Sequence, residues 1–350
     1  MIDEILAVKE ELKLGFKHNK IEMSHGAGGK TMYQFIEKTF LRAFSNKWLL
    51  QRNDQASIEI PKGKIAISTD SHVVSPLFFP GGDIGSLSVY GTVNDIAMGG
   101  GKPLYMSASF ILEEGFSLSE LKLIVNSMAN AAKAAGVSIV AGDTKVVEKG
   151  KGDGIFITTT GVGIVPPTVK ITHRIQPGDK IIVSGFMGDH GIAVMSKREN
   201  LQFQTQVTSD SCPLHDLVAK MLEAVPDIHC LRDPTRGGLA ATLNEWAIQH
   251  RIGFYIEENA VPMRDAVLGA CELLGLDPLY VANEGKLVAI CAPEVAEKLI
   301  SIMHEHPYGK YAAIIGEAVE DAEHFVQMRT IFGGTRIVDW LSGEQLPRIC

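Results

Sequence analysis

No stretch of the 350-residue chain approaches the ~20 consecutive apolar residues that a bilayer-spanning helix needs, so no membrane role is expected. A basic block is also missing: 33 Lys and Arg stand against 41 Asp and Glu, a net charge of −8, which argues against nucleic acid as a partner. Cysteine is scarce. Cys212, Cys230, Cys271, Cys291 and Cys350 are odd in number and form no C-x-x-C pair. This excludes a disulfide framework and a structural zinc site of that kind, and fits a reducing compartment. Met1-Ile2-Asp3-Glu4 lacks the basic-then-apolar order of a signal peptide, and a cytoplasmic location is expected.

What is present is the composition of a globular chain, 45% apolar and 21% charged, long enough for two domains. The 35 glycines gather in short clusters. Pro166-Pro167 marks the best boundary. The expected divisions are an extension over 1–20, a first domain over 21–165, a second over 168–340 and a mobile tail over 341–350. Both halves repeat a strand, a polar glycine turn and a helix, which predicts an α/β (α+β) class. Ile65–Thr69 and Val137–Val140 read as buried strands, Ile155–Val165 as two strands broken at Gly161 and Gly163. Ser117-Leu118-Ser119-Glu120 reads as a capping box for a helix to about Ala135.

Several positions offer chemistry. In His25-Gly26-Ala27-Gly28-Gly29-Lys30, glycines ahead of a helix can present N–H groups to phosphate, although the spacing is not a Walker A loop and a plain turn is equally compatible. Asp70 and Asp143 are expected at strand ends, and Asp95, after Asn94, lies amid apolar helix residues. Each alone fits a cap or a solvated face; together they fit Mg²⁺ bound through carboxylates and substrate phosphates. Glu284 is either in an exposed turn or a buried carboxyl suited to proton transfer. His190 is either a structural hydrogen-bonding group or part of a site. His304 and His306, two apart on a helix, face different ways and are given no metal role. The ending Pro347-Arg348-Ile349-Cys350 carries a thiol on a semi-stiff arm.

The order of these motifs resembles the HypE family, the carbamoyl dehydratases of [NiFe]-hydrogenase maturation. The matching stretches are His25-Gly26-x-Gly28-Gly29, Ser68-Thr69-Asp70-Ser71, Asn94-Asp95-Ile96-Ala97, Gly142-Asp143-Thr144-Lys145, Gly188-Asp189-His190-Gly191, Arg232-Asp233-x-Thr235-Arg236-Gly237-Gly238, Asn283-Glu284-Gly285-Lys286 and the Cys350 ending. The resemblance covers about Ile21 to Cys350. It implies the two-domain fold of an ATP-using superfamily with aminoimidazole ribonucleotide synthetase and selenophosphate synthetase. In that fold the N-terminal domains of a homodimer form a β-barrel with ATP at the interface, and the C-terminal domain is an α/β sandwich. It further implies Mg²⁺ on Asp70, Asp95 and Asp143, nucleotide contacts from Gly26, Gly28, Gly29 and Asn94, and catalysis by Cys350, Glu284 and Lys145.

The same resemblance implies a HypF-type carbamoyltransferase that loads Cys350, and a HypC–HypD complex that receives the thiocyanate as iron-bound cyanide. Two alternatives stand beside it: another ATP-dependent synthetase of the superfamily, which has no need of a terminal thiol, and a non-catalytic nucleotide-sensing scaffold that docks partners through its tail.

Overall fold

The computed structural model describes residues 19–53, 55–200, 207–341 and 348–350. The expected extension over 1–20 and Pro347 of the tail lie almost wholly outside the described residues. The chain opens with a short helix α1 (Lys30–Ile36) that continues into a π-helical turn over Glu37–Leu41. Strand β1 (Lys64–His72) follows, then a small hairpin of β2 (Phe78–Phe79) and β3 (Gly82–Asp83). Helix α2 (Ile84–Met98) starts at Asp83, whose carboxylate accepts from the N–H groups of Gly85 at 2.7 Å and Ser86 at 3.2 Å. Next come β4 (Lys102–Glu113), α3 (Leu118–Ala134), capped by the Ser117 hydroxyl, β5 (Ser138–Val147) and β6 (Ile155–Val165).

These strands form one sheet in the order β1-β6-β4-β5, with α2 and α3 packed on one face. Leu87, Val89, Val93, Leu121 and Ile124 are fully buried there. Each such side chain contributes about 1.5–3 kcal/mol of transfer free energy. Three expectations change. Strand β1 is not buried on both sides: alternation turns Ile65 and Ile67 outward, 52% and 69% exposed. Asp70 and Asp143 sit inside strands that run on past them, not at strand ends. β6 is a single strand. Its glycines do not break it but let α2 and β4 approach: a Cβ on Gly161 would meet Ile96 at 2.6 Å, and one on Gly163 would meet the Lys102 carbonyl at 2.7 Å.

The second half contains β7 (Lys180–Val183), α4 (Asp189–Arg198), α5 (His215–Ala224), β8 (Cys230–Arg232), α6 (Gly238–His250), β9 (Gly253–Glu257) and α7 (Asp265–Leu274). It ends with β10 (Val288–Cys291), α8 (Pro293–His304), β11 (Ala313–Val319), β12 (Val326–Arg329) and β13 (Thr335–Ile337). Its sheet runs β13-β12-β9-β11-β7-β10-β8. Val288 and Ile290 face α6, while Ala289 and Cys291 face α5 and α8. Cover on both faces explains the unbroken apolar run. Ala97 and Met98 of α2 enter the α5–α8 cluster, so the two halves share packing. Among the described residues no helix is long and apolar enough to cross a membrane.

Candidate functional site

β8 and β10 pair with Val288 opposite Arg232, which sets the loop leaving β8 beside the loop entering β10. Asn283 ties the two together: its N–H and Nδ2 donate to the Pro234 carbonyl at 3.1 and 2.9 Å. Its Oδ1 accepts from the Gly188 N–H at 2.7 Å, which fixes the start of α4. Glu284 comes next and is buried, not in an exposed turn. Its N–H donates to Asp210 Oδ1 at 3.0 Å, and its carbonyl accepts from Asn94 Nδ2 at 3.1 Å. Asp210 is paired with Lys286 at 3.1 Å. Asn94 also donates to the Cys212 carbonyl at 3.0 Å and accepts from the Leu214 N–H at 2.8 Å. Its amide is thus engaged by three main-chain groups. The structure makes Asn94 a strut between α2 and the Glu284 loop, where a nucleotide contact was expected.

The first domain brings Asp70, His72 and Asp95 to the same place. Asp95 is not solvated; its Oδ2 accepts from Ser68 Oγ at 2.5 Å. His72 is buried with Nε2 3.6 Å from Asp70 Oδ2.

The tail docks against this cluster. The Val73 N–H donates to the Cys350 carbonyl and the Ser75 N–H to the Arg348 carbonyl, each at 3.0 Å. Ile349 is 3% exposed and packs into the core of the first domain. Arg348 pairs with Asp153. Burial pushes the Cys350 thiol far up, and the nearby Glu284 carboxyl adds to this while Arg236 opposes it.

The carboxyl groups are crowded. Burial raises Glu284 well above the ordinary carboxylate range, and Asp233, Asp210, Asp70 and Asp95 each add to the rise. Asp233 is pushed up to about 7, by burial first and by Asp95 next. Asp95 is raised by burial, with Asp70 adding and the Ser68 hydrogen bond opposing. Glu284 Oε1 is buried without a hydrogen-bond partner among the described residues. Among the described residues no three Asp, Glu, His or Cys side chains converge into a complete metal site, and the crowded oxygens, one of them orphaned, are donors of the kind a divalent cation takes when substrate phosphates complete its shell.

Asp143, Lys145 and the glycine loop lie elsewhere. The row Asp70, Thr159, Ala108, Gly142 crosses the whole sheet, so Asp143, one residue past that row, lies at the edge opposite Asp70, roughly 14 Å away at normal strand spacing. Asp143 also points to the open face, whereas Asp70 points to the helices. Asp143 and Lys145 pair at 3.0 Å, both more than half exposed, and this contact lowers the Asp143 pKa. Gly26 lies against β5, where a Cβ would come within 3.0 Å of Val146. Gly28 has φ +78°, and Gly29 caps α1. Beside them is a cavity of about 200 Å³ lined by Met32, Phe40, Phe44, Phe110 and Asp143. One chain therefore brings together Cys350, Glu284, Asp70 and Asp95, and separately Gly26–Gly29, Asp143 and Lys145.

Asp233 and Arg236 have no role assigned from sequence, although their polar glycine turn is visible there. Asp210 and His72 carry no local signal at all.

Two family models match: AIR synthase related protein, N-terminal domain, over residues 52–165, and its C-terminal domain over residues 176–329. The chain is 62% identical over 339 residues to the carbamoyl dehydratase HypE of Cupriavidus necator, covering 96% of this chain and 97% of that protein. It is 44% identical over 338 residues to the Escherichia coli carbamoyl dehydratase HypE, covering 95% and 100%. A crystal structure of the hydrogenase maturation protein HypE in complex with ATP superposes with a TM-score of 0.89 at 48% identity, over 94% of this chain and 99% of that one. The crystal structure of a HypE–HypF complex gives 0.76 at 48% identity, over 89% and 100%.

Proposed function

Since the chain belongs to the HypE family of carbamoyl dehydratases, ATP-dependent enzymes of hydrogenase maturation, we propose that it dehydrates a carbamoyl group carried on its own Cys350. The observation that carries this reading is the docked tail, which sets the only partly accessible thiol beside a buried carboxyl. The overall change is S–CO–NH₂ plus ATP to S–C≡N plus ADP and phosphate. The carboxamide oxygen attacks the γ-phosphorus of ATP and ADP leaves, so a poor leaving group becomes phosphate. The C–O bond then breaks as the nitrogen lone pair closes the C≡N bond. Two N–H protons depart, and Glu284, raised by burial, accepts them one at a time and passes them on.

Asp70 and Asp95 are the carboxylates of this chain that would hold Mg²⁺, which supplies charge neutralisation on the phosphates. Asp143 completes that set from a second copy. The outward Ile65 and Ile67 at one end of the open sheet face and Ile111, 42% exposed, toward the other, with a belt of Ser and Thr hydroxyls between them, offer a second copy a face of mixed character. Pairing two such faces supports a barrel across the dimer in which Asp143, Lys145 and the Gly26–Gly29 loop of one copy meet Glu284 and Cys350 of the other. The apolar cavity beside Asp143 suits the adenine ring. Lys145 then stabilises negative charge on the transferring phosphoryl group.

The partners follow from the same reading. A HypF-type carbamoyltransferase loads Cys350, and a HypC–HypD complex accepts the thiocyanate. The test is loading itself: incubated with the carbamoyltransferase, carbamoyl phosphate and ATP, Cys350→Ala accepts no carbamoyl group yet binds ATP as the wild type does. Carbamoylation of that variant on another cysteine overturns the proposal.

A further inference from the structure

His190 is fully buried at the first turn of α4 and belongs to none of the groups so far given a task. Its Nε2 lies 2.8 Å from the Ile349 carbonyl and its Nδ1 2.8 Å from Ser209 Oγ. The Phe79 ring meets it edge-on at 5.4 Å between centroids. The hydrogen-bond chemistry permits one arrangement. A carbonyl only accepts, so Nε2 carries the proton and Nδ1 accepts from the Ser209 hydroxyl. Ser209 Oγ in turn accepts from the Ser211 N–H at 3.1 Å, so the serine rotor is fixed as well. Burial lowers the His190 pKa and keeps the ring neutral, with Asp210 opposing.

The other polar tail contacts are the main-chain pairings with Val73 and Ser75, Arg198 donating to the Arg348 carbonyl at 2.9 Å, Arg348 Nε donating to the Val73 carbonyl at 3.1 Å, and the Arg348–Asp153 ion pair. All three carbonyls of residues 348–350 are therefore captured by the folded body. His190 alone serves the one next to Cys350. Ser209 adjoins Asp210, which holds the Glu284 N–H at 3.0 Å. The histidine contact thus runs from the tail to the loop of the base through two consecutive residues.

We propose that His190 is the positioning residue that latches the tail, donating Nε2–H to the Ile349 carbonyl in a tautomer fixed by Ser209 and so holding Cys350 at Glu284. This rests on the reading of Cys350 as the carrier thiol. It does not depend on that reading for its test.

The other four cysteines are buried, with thiols pushed up to about 12, so Cys350 is the thiol that reacts with iodoacetamide, and it reacts only while undocked. Mass spectrometry of the tail peptide follows the rate without ATP or carbamoyl donor. His190→Phe keeps a buried ring and removes the donor, and alkylation of Cys350 is expected to become about tenfold faster. His190→Gln places an amide N–H near the same point and restores a rate close to the wild type. Ser209→Ala releases the tautomer and accelerates alkylation by a smaller factor. In the carbamoylated chain, His190→Phe lowers kcat and leaves the KM for ATP unchanged. Equal alkylation rates in the wild type, His190→Phe and Ser209→Ala, or a Gln variant as fast as the Phe variant, overturn the latch. Faster alkylation in a chain that never dehydrates its carbamoyl group leaves the latch standing and removes the proposed function instead.

Discussion

The side-chain amide of Asn94, on a helix of the first domain, holds the backbone carbonyl of Glu284, 190 residues away, at 3.1 Å. The same amide spans Cys212 and Leu214, so one buried residue of the first domain is tied to both the Glu284 loop and the 212–214 stretch of the second. Asn94→Ala strands buried main-chain groups, each worth about 1–3 kcal/mol when left unpaired. The variant is expected to unfold at lower denaturant with an unchanged m-value, and to lose turnover by more than its ATP affinity. Full turnover at wild-type stability speaks against the strut.

Glu284 is the proposed proton acceptor. Glu284→Gln keeps the shape and removes the base, so dehydration is expected to fall by about 10²–10⁴-fold while ATP still binds. Single-turnover rates on carbamoylated protein, with ATP titrated separately, check both halves. In the wild type the rate rises with pH, because the raised carboxyl must lose its proton to act. A rate that does not rise with pH anywhere above the ordinary carboxylate range removes Glu284 from that role.

The crowded carboxyl groups link pH to stability. Asp233 is near 3.9 when unfolded and about 7 when folded, so the folded state binds more protons between these values. Its stabilising share is complete below the lower value and is lost as pH rises through about 7. The neutral buried imidazoles His72 and His190, both lowered, act in the opposite sense below their ordinary range. Asp233→Asn isolates the carboxyl: relative to the wild type, the variant should gain stability from pH 5.5 to pH 8 by about 2 kcal/mol. Mg–ATP should shrink this gain in thermal melts, because bound cation stabilises the anionic wild type. A gap that does not change with pH contradicts the assignment.

Much of this was legible in the sequence, and the exceptions have physical causes. The motif order identified the family, and the capping residue Ser117 started its helix where its side chain permits. Composition along a strand does not reveal which of its faces the helices cover, so Ile65 and Ile67 read as core although they point outward. Gly161 and Gly163 read as breaks because their cause, the close approach of Ile96 and Lys102, is distant in sequence. Asp70, Asp95 and Asp143 read as one set, since order along the chain says nothing of sheet edge or face. Asn94 has the same chemistry as a nucleotide ligand and a strut; only its three partners separate the two.

The proposed division of the site between two copies makes a sharp prediction. Lys145→Ala and Glu284→Gln are each expected to be inactive alone. Mixed and allowed to exchange subunits, they should recover about a quarter of wild-type activity, because half the dimers are mixed and each carries one intact site. A monomer mass by light scattering, or no recovery in exchanged mixtures, contradicts an interfacial site.

The central claim is that Cys350 carries the reacting group. Its most direct test is the intact mass of the tail peptide from carbamoylated protein, before and after Mg–ATP. The account predicts loss of the mass of one water from the peptide bearing Cys350, only when both Mg²⁺ and ATP are present. Loss without ATP, or on a peptide bearing another cysteine, would contradict it.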